Sequence, residues 1–290
     1  MKYLILLCGV LCGSLSGAFV RMSTAPSMVL VIYRMFFAVV LLTPMALRHR
    51  KDFRGVDKKT LLLCICSGVA LGIHFAAYFE AAKNTTLAAS AVLVHMETLF
   101  VALATVAFFR RRLPGKAWLA ILLAFVGAIV IAMADTTGSG GPNALLGDIM
   151  AIIAAVLMAI YTMIGAVCRR SMTTTVYTYL VYSVAMVTDL LLTLVTGTPL
   201  LGHGAVNFGA ALGMAVFCTL LGHSVFSWCL KYLPAPFVSM AKQLDPLCSS
   251  LWGLLLFSER PAALVFLGGA IIIAGVLLYI RTTVDEKKEE

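Results

Sequence analysis

Charge is what this sequence has least of. Only 12% of its 290 residues are charged, and thirteen of them are acidic. A soluble domain carries about a quarter charged residues, so an ordinary water-facing surface is excluded. Long polar connections are also missing. The longest, RHRKDFRGVDKK at 48–59, leaves no room for a soluble domain. None of the eight cysteines forms a C-x-x-C pair, so neither a zinc site nor a redox motif is indicated. Cys8 and Cys12 share one helix face and read as small packing residues. No Walker loop, HExxH or GxSxG occurs, which excludes direct use of ATP and the commonest hydrolase signatures. The net charge of +9 is spread over short loops. Nucleic acid, which needs a gathered basic face, is not an expected partner. Neither is a cofactor or a metal.

What is present is apolar sequence, 61% hydrophobic with a mean hydropathy of +1.00. A spanning helix needs about 20 apolar residues. Ten stretches qualify: 3–21, 27–47, 60–82, 87–108, 114–134, 145–168, 173–196, 207–230, 235–257 and 261–281. The first resembles a secretory signal but lacks a convincing small-x-small cleavage site, so it reads as a span. The linker TTGSGGPN at 136–143 divides the chain nearly in half. With the N-terminus inside, seventeen Lys and Arg fall in inner segments, against Arg21, Lys83 and Arg260 outside. The positive-inside rule therefore predicts two cytoplasmic termini.

Two spans carry an acid near mid-depth, Glu97 in the fourth and Asp245 in the ninth. A charge there is costly, about 3 kcal/mol for Asp on insertion scales. The acids lie 148 residues apart, and the same shift lays Ala82-Lys83 over Leu230-Lys231 and Phe109-Arg110 over Phe257-Ser258. Spans 3–5 thus match spans 8–10. Each half holds five spans, an odd number, so the halves sit oppositely in the bilayer. An inverted repeat of this kind is the usual frame of an alternating-access transporter, with its site near the midplane.

The motifs also match a known pattern. Gly147-Asp148 followed by Ala159-Ile160-Tyr161 opens the sixth span, Leu230-Lys231-Tyr232-Leu233-Pro234 precedes the ninth, and Asp245-Pro246 and Ser258-Glu259-Arg260 complete the set. Together these resemble the EamA-type members of the drug/metabolite transporter superfamily, over essentially the whole chain. The resemblance implies an all-α integral membrane protein whose ten helices form two inverted five-helix repeats around a central cavity. The repeats are expected at 1–135 and 145–283. Relatives usually carry Pro and Glu where this chain has Thr98 and Arg111.

Several residues are candidates for chemistry. Pro246 frees the Lys242 carbonyl four residues back, and Asp245 lies three residues from Lys242 on the same face. They read as a hinge with a charged face, or as an internal Lys–Asp pair. Glu97 reads as a site for a proton or a cationic group, or as the partner of Arg34. His95 lies roughly 200° round the helix from Glu97, so the two share a cavity only if the helix unwinds between them. His74 and Tyr78 are i,i+4 on one face; in relatives this part of the third span lines the cavity. Arg34 suits a substrate carboxylate, or snorkels outward. Tyr161, Tyr179 and Tyr182 line the cavity or pack. Glu80 reads as the partner of Lys83. Asp189 and His223 are left without a role. Ala124, Ala128 and Ala132, and Ala270 and Ala274, form small-residue stripes for close helix contact, within one subunit or in a dimer.

The chain therefore reads as a secondary transporter of a bacterial plasma membrane, moving a small polar metabolite such as an amino acid, most naturally as an exporter, either coupled to protons through Glu97 or Asp245 or by facilitated diffusion without coupling. Multidrug efflux is the alternative, and a non-transporting scaffold the second. Only Asp245 is followed by proline, so the ninth span is expected to be broken and the fourth straighter.

Overall fold

Backbone held in hydrocarbon must satisfy its own hydrogen bonds, and among the described residues every regular element is helical. The computed structural model describes residues 1–85, 87–110, 112–133, 143–258 and 260–289, with side chains for all of these except 87, 88 and 283–289. The expectations for Arg111, Glu259 and the linker at 136–142 lie outside the described residues.

The first half contains α1 (Lys2–Gly13), α2 (Ser16–Arg21), α3 (Ser27–Arg48), α4 (Arg50–Phe53), α5 (Lys58–Asn84), α6 (Leu87–His95), α7 (Glu97–Phe109) and α8 (Gly115–Met133). The second begins with α9 (Ala144–Cys168), α10 (Thr174–Val195) and α11 (Gly204–Gly213), which continues through a π-helical stretch, Met214–His223, into α12 (Ser224–Cys229). It ends with α13 (Ala235–Ala241), a 3₁₀ turn at Lys242–Leu244, α14 (Asp245–Phe257) and α15 (Ala263–Glu289). Asp57 caps α5 by accepting from the Lys59 and Thr60 amides. Those contacts, led by the Thr60 side chain, hold its carboxyl below the usual carboxylate range.

Among the described residues, nine helical stretches are long and apolar enough to cross a bilayer. The tenth expected stretch, at 235–257, is helical but not among the nine. Lys242, Gln243, Asp245 and Pro246 dilute its hydropathy, and it is broken at the 3₁₀ turn. The fourth span, expected to be straighter, is interrupted as well, by the single residue Met96 against the three-residue turn of the ninth. Met96 separates α6 from α7 at φ −59°, ψ −14°, and Leu244 precedes α14 at φ −71°, ψ −12°. Met96 and Leu244 are 148 residues apart. Each second piece then ends on a left-handed residue, Arg110 at φ 50° and Ser258 at φ 57°, also 148 apart. The break therefore belongs to the repeat and not to the proline. In the first half the turn closes with tighter bonds, Met96 N–H to the Leu93 carbonyl at 3.2 Å and Leu99 N–H to the Met96 carbonyl at 2.9 Å.

The halves interlock. The third span, α5, packs on the sixth, α9, and the first, α1, packs on the π-helical stretch of the eighth. These two contacts exchange under the repeat. So do those between α8 and α15. A Cβ at Gly127 would lie 2.6 Å from the Gly268 carbonyl oxygen, and one at Gly275 would lie 2.8 Å from that of Ala120. Adding 148 turns Gly127 into Gly275 and Ala120 into Gly268. The small-residue stripe of α8 is used as expected, with Ala124 and Ala128 buried. The stripe expected on α15 is not: Ala270 and Ala274 are exposed, and Gly268, Ile272 and Gly275 make the contact instead. The helix presents its glycines because only they let the two backbones approach this closely.

Arg169 departs from its reading as a surface orientation charge. It is buried, donating from Nε to the Ser227 carbonyl at 3.1 Å and from Nη2 to Thr174 Oγ1 at 2.7 Å. It ties the turn after α9 to the end of α12.

Candidate functional site

The two helix breaks meet at the centre. Glu97, the first residue of α7, is 5% exposed. Its Oε1 accepts from Lys242 Nζ at 2.6 Å, Ser239 Oγ at 2.9 Å and Thr162 Oγ1 at 3.1 Å. The donors come from the 3₁₀ turn, α13 and α9. One carboxylate thus joins the fourth span to the sixth and ninth. A buried charge is tolerated when paired and hydrogen-bonded, and here both conditions are met. The pairings read from sequence are replaced: Glu97 takes Lys242 and not Arg34, and Lys242 takes Glu97 and not Asp245.

Asp245 is left without a partner. Among the described residues, no hydrogen bond or ion pair reaches its carboxylate. It lines a cavity of about 300 Å³. Glu97, Lys242, Arg34, His74, Tyr78, His95 and Pro246 line the same cavity. His95 and Glu97 share it because the helix breaks at Met96 between them. Tyr161 is not among the lining residues; its hydroxyl is buried against Ser227 Oγ at 3.0 Å.

Arg34 is 3% exposed. Its Nε donates to Thr219 Oγ1 at 2.7 Å, and its guanidinium lies 4.3 Å from the centre of the Phe75 ring, within cation–π range. It does not snorkel, and among the described residues it has no carboxylate partner within ion-pair distance. The π-helical stretch carries Thr219 and His223 toward the site; such stretches are frequent where function needs a displaced turn. His223 lines the cavity, its ring edge-on to Phe75 at 5.5 Å and to Tyr161 at 6.1 Å. Its Nδ1 is buried with no hydrogen-bond partner among the described residues. His74 Nδ1 contacts the Ala154 carbonyl at 2.8 Å. A carbonyl can only accept, so the neutral ring carries its proton on Nδ1 and keeps Nε2 as an acceptor. His74 stacks on Tyr78 at 6.4 Å.

Elsewhere, Tyr182 bonds Ser224 at 3.0 Å, and Glu80 lies 3.9 Å from Lys83. Asp189 is fully buried, outside the cavity lining, and neither carboxylate oxygen meets a donor among the described residues. No group of three His, Cys, Asp or Glu able to hold a metal ion occurs among the described residues.

Sequence reasoning missed Thr162, Ser239 and Thr219, and left His223 without a role. Ser239 had a signal, since it lies three residues before Lys242 and shares its face. Thr162 and Thr219 had none; a lone threonine in an apolar span is unremarkable until its neighbour is known.

Comparison with known proteins places the arrangement. The profile of the EamA-like transporter family matches residues 1–133 and 145–281. A pseudopaline exporter of Pseudomonas aeruginosa is 24% identical over 263 residues, covering 90% of this chain and 88% of its own. An uncharacterized transporter of Archaeoglobus fulgidus is 27% identical over 280 residues, covering 96% of this chain and 95% of its own. One crystal structure shares the fold with a TM-score of 0.79 at 17% identity, over 100% of this chain and 99% of that one.

Proposed function

The chain belongs to the EamA-like transporter family, and from that premise we propose that it moves a small zwitterionic metabolite, such as an amino acid, across a bacterial plasma membrane. One observation carries the reading. Arg34 and Asp245, of opposite sign and without an ion-pair partner among the described residues, face one cavity of about 300 Å³. The guanidinium suits a carboxylate and the Asp245 carboxylate suits an amine. His74, His223 and Tyr78 add polar and stacking contacts between them. The volume stands at the small end of ligand pockets, which run from about 300 to 1,000 Å³. That favours a metabolite over the bulky, lipophilic cations of multidrug efflux. Matched mid-span acids facing a cavity argue against a scaffold.

The side that the cavity faces follows from position. The cavity is lined from α1 by Val10 and Gly13, from the start of α2 by Ser16 and Gly17, and from α5 by His74, Phe75, Tyr78 and Phe79, the portions that lead toward Arg21 and Lys83. With both termini cytoplasmic, this is the outer side. The Glu97–Lys242 knot stands between this cavity and the inner side. Alternating access would break the knot as the halves rock. The reading is of a monomer, because the glycine contacts of α8 and α15 are spent within one chain. Export is favoured by the pseudopaline exporter among its relatives.

Counterflow in proteoliposomes tests this. Labelled amino acids are expected to exchange, and lipophilic cations are not. Asp245→Asn is expected to lower exchange at least tenfold. Exchange of cationic dyes alone would replace the reading with multidrug efflux. A proton-gradient dependence that survives both Glu97→Gln and Asp245→Asn would remove these acids as coupling groups.

A further inference from the structure

A second cavity, of about 500 Å³, lies at the other end of the molecule. Four cations line it: Lys2, Arg112, Arg170 and Lys231. Each comes from a different segment: the start of α1 and the connections after α7, α9 and α12. Among the described residues, none of those lining it is acidic. The sequence reading used Lys2, Arg112 and Arg170 as orientation signals and Lys231 also as a repeat and motif position, and nothing in it said that they converge. The cluster is selective, because Arg48, Arg50, Lys51 and Arg54, near α4, do not line this cavity.

Three of the four charges are held against rings of the same groove. Lys2 Nζ lies 5.5 Å from the Tyr3 ring centre, Arg170 lies 5.9 Å from that of Phe109, and Lys231 Nζ lies 5.9 Å from that of Tyr232. Phe237 builds the wall between Tyr3, edge-on at 5.6 Å, and Tyr279, stacked at 5.4 Å. A cleft lined by one sign of charge concentrates its field and draws the opposite sign. The four cations stand at span ends, where headgroups lie. Beyond the groove, Leu4 and Leu7 continue along α1 as exposed apolar side chains, an acyl-chain surface.

We propose that this groove binds the phosphate of an anionic phospholipid, with the acyl chains running along α1. Its lining shares no residue with that of the transport cavity; Phe237 and Met163 line it, just beyond Ser239 and Thr162 of the knot. It does not depend on the identity of the transported molecule.

The test is binding of phosphatidylglycerol to the purified, full-length protein in detergent, read by native mass spectrometry. Phosphatidylcholine and inorganic phosphate are the comparison probes. Phosphatidylglycerol is expected to bind, and the other two to bind far more weakly. Each basic side chain near an anionic surface contributes enough that Arg112→Gln/Arg170→Gln should weaken binding roughly twentyfold. Arg48→Gln/Arg54→Gln, with the same charge lost elsewhere at this end, should change it less than about twofold. Should the double groove variant not fold, Lys231→Gln should still weaken binding about fivefold. Equal losses in the groove and control variants would overturn the proposal, leaving only general attraction. So would phosphatidylcholine binding as well as phosphatidylglycerol. Inorganic phosphate binding as tightly as the lipid would overturn the lipid and assign the groove to a soluble anion.

Discussion

Glu97 and Asp245 stand 148 residues apart at equivalent points of the two halves, and each is the first residue of the helix after a break. Their backbones agree closely. Their chemistry does not. Glu97 gathers three donors on one oxygen, whereas Asp245 faces the cavity with none among the described residues. The difference teaches that an inverted repeat preserves the path of the chain and frees its side chains to diverge. The cation that sequence proximity would assign to Asp245 crosses to the acid of the opposite half. One acid becomes a lock between the halves, and the other is left for a ligand.

The largest expected effect comes from the lock. Lys242→Met leaves Glu97 buried without its cation and is expected to cost about 3–5 kcal/mol, read from denaturant unfolding in detergent. The double variant Glu97→Gln/Lys242→Met should recover most of that loss. A double variant as unstable as the single one would mean the pair is not the cause.

A smaller effect tests the shared break. Thr98 is the repeat equivalent of Pro246 and the second residue of α7, where an amide needs no intrahelical partner. Thr98→Pro is expected to cost about 1 kcal/mol or less, against about 3 kcal/mol in an unbroken helix interior. The larger figure, measured by the same unfolding assay, would show that the fourth span needs that amide and that the two breaks are not equivalent.

The smallest effect belongs to Asp245. Asp245→Asn removes no ion pair, so its stability should stay within about 1 kcal/mol of wild type while exchange falls. If it destabilises as much as Lys242→Met, the contrast between a lock and a ligand-facing acid is gone.

Much of the fold was legible because hydrocarbon imposes a simple rule. Apolar runs of span length, separated by short connections, gave the helices within a few residues. The 148-residue shift laid Phe109-Arg110 over Phe257-Ser258, and the left-handed residues Arg110 and Ser258 fall at those matched positions. The interruption at Met96 was not foreseen, because the argument rested on Pro246 and on the absence of proline at Thr98. A repeat position can be broken without proline when other helices hold the chain there, as the donors to Glu97 do. The α15 stripe was misread for a related reason: Ala270 and Ala274 have the right spacing, yet only glycine lets the backbones at Gly127 and Gly268 meet. The candidate residues gathered well, since charges and imidazoles in an apolar span have few places to go other than a shared cavity. Their pairing did not follow, because Lys242 lies near Asp245 in sequence and closer to Glu97 in space.

The sequence by itself determined the membrane class, the helical spans, the repeat and the depth of the two acids. These depend on composition and period, which the bilayer reads directly. Only the tertiary structure decided which charges pair, that four scattered cations share one groove, and that the Tyr161 hydroxyl is spent on Ser227 instead of lining the cavity. Those outcomes depend on distances of a few ångströms between segments far apart in the chain, and spacing along the chain carries no information about them.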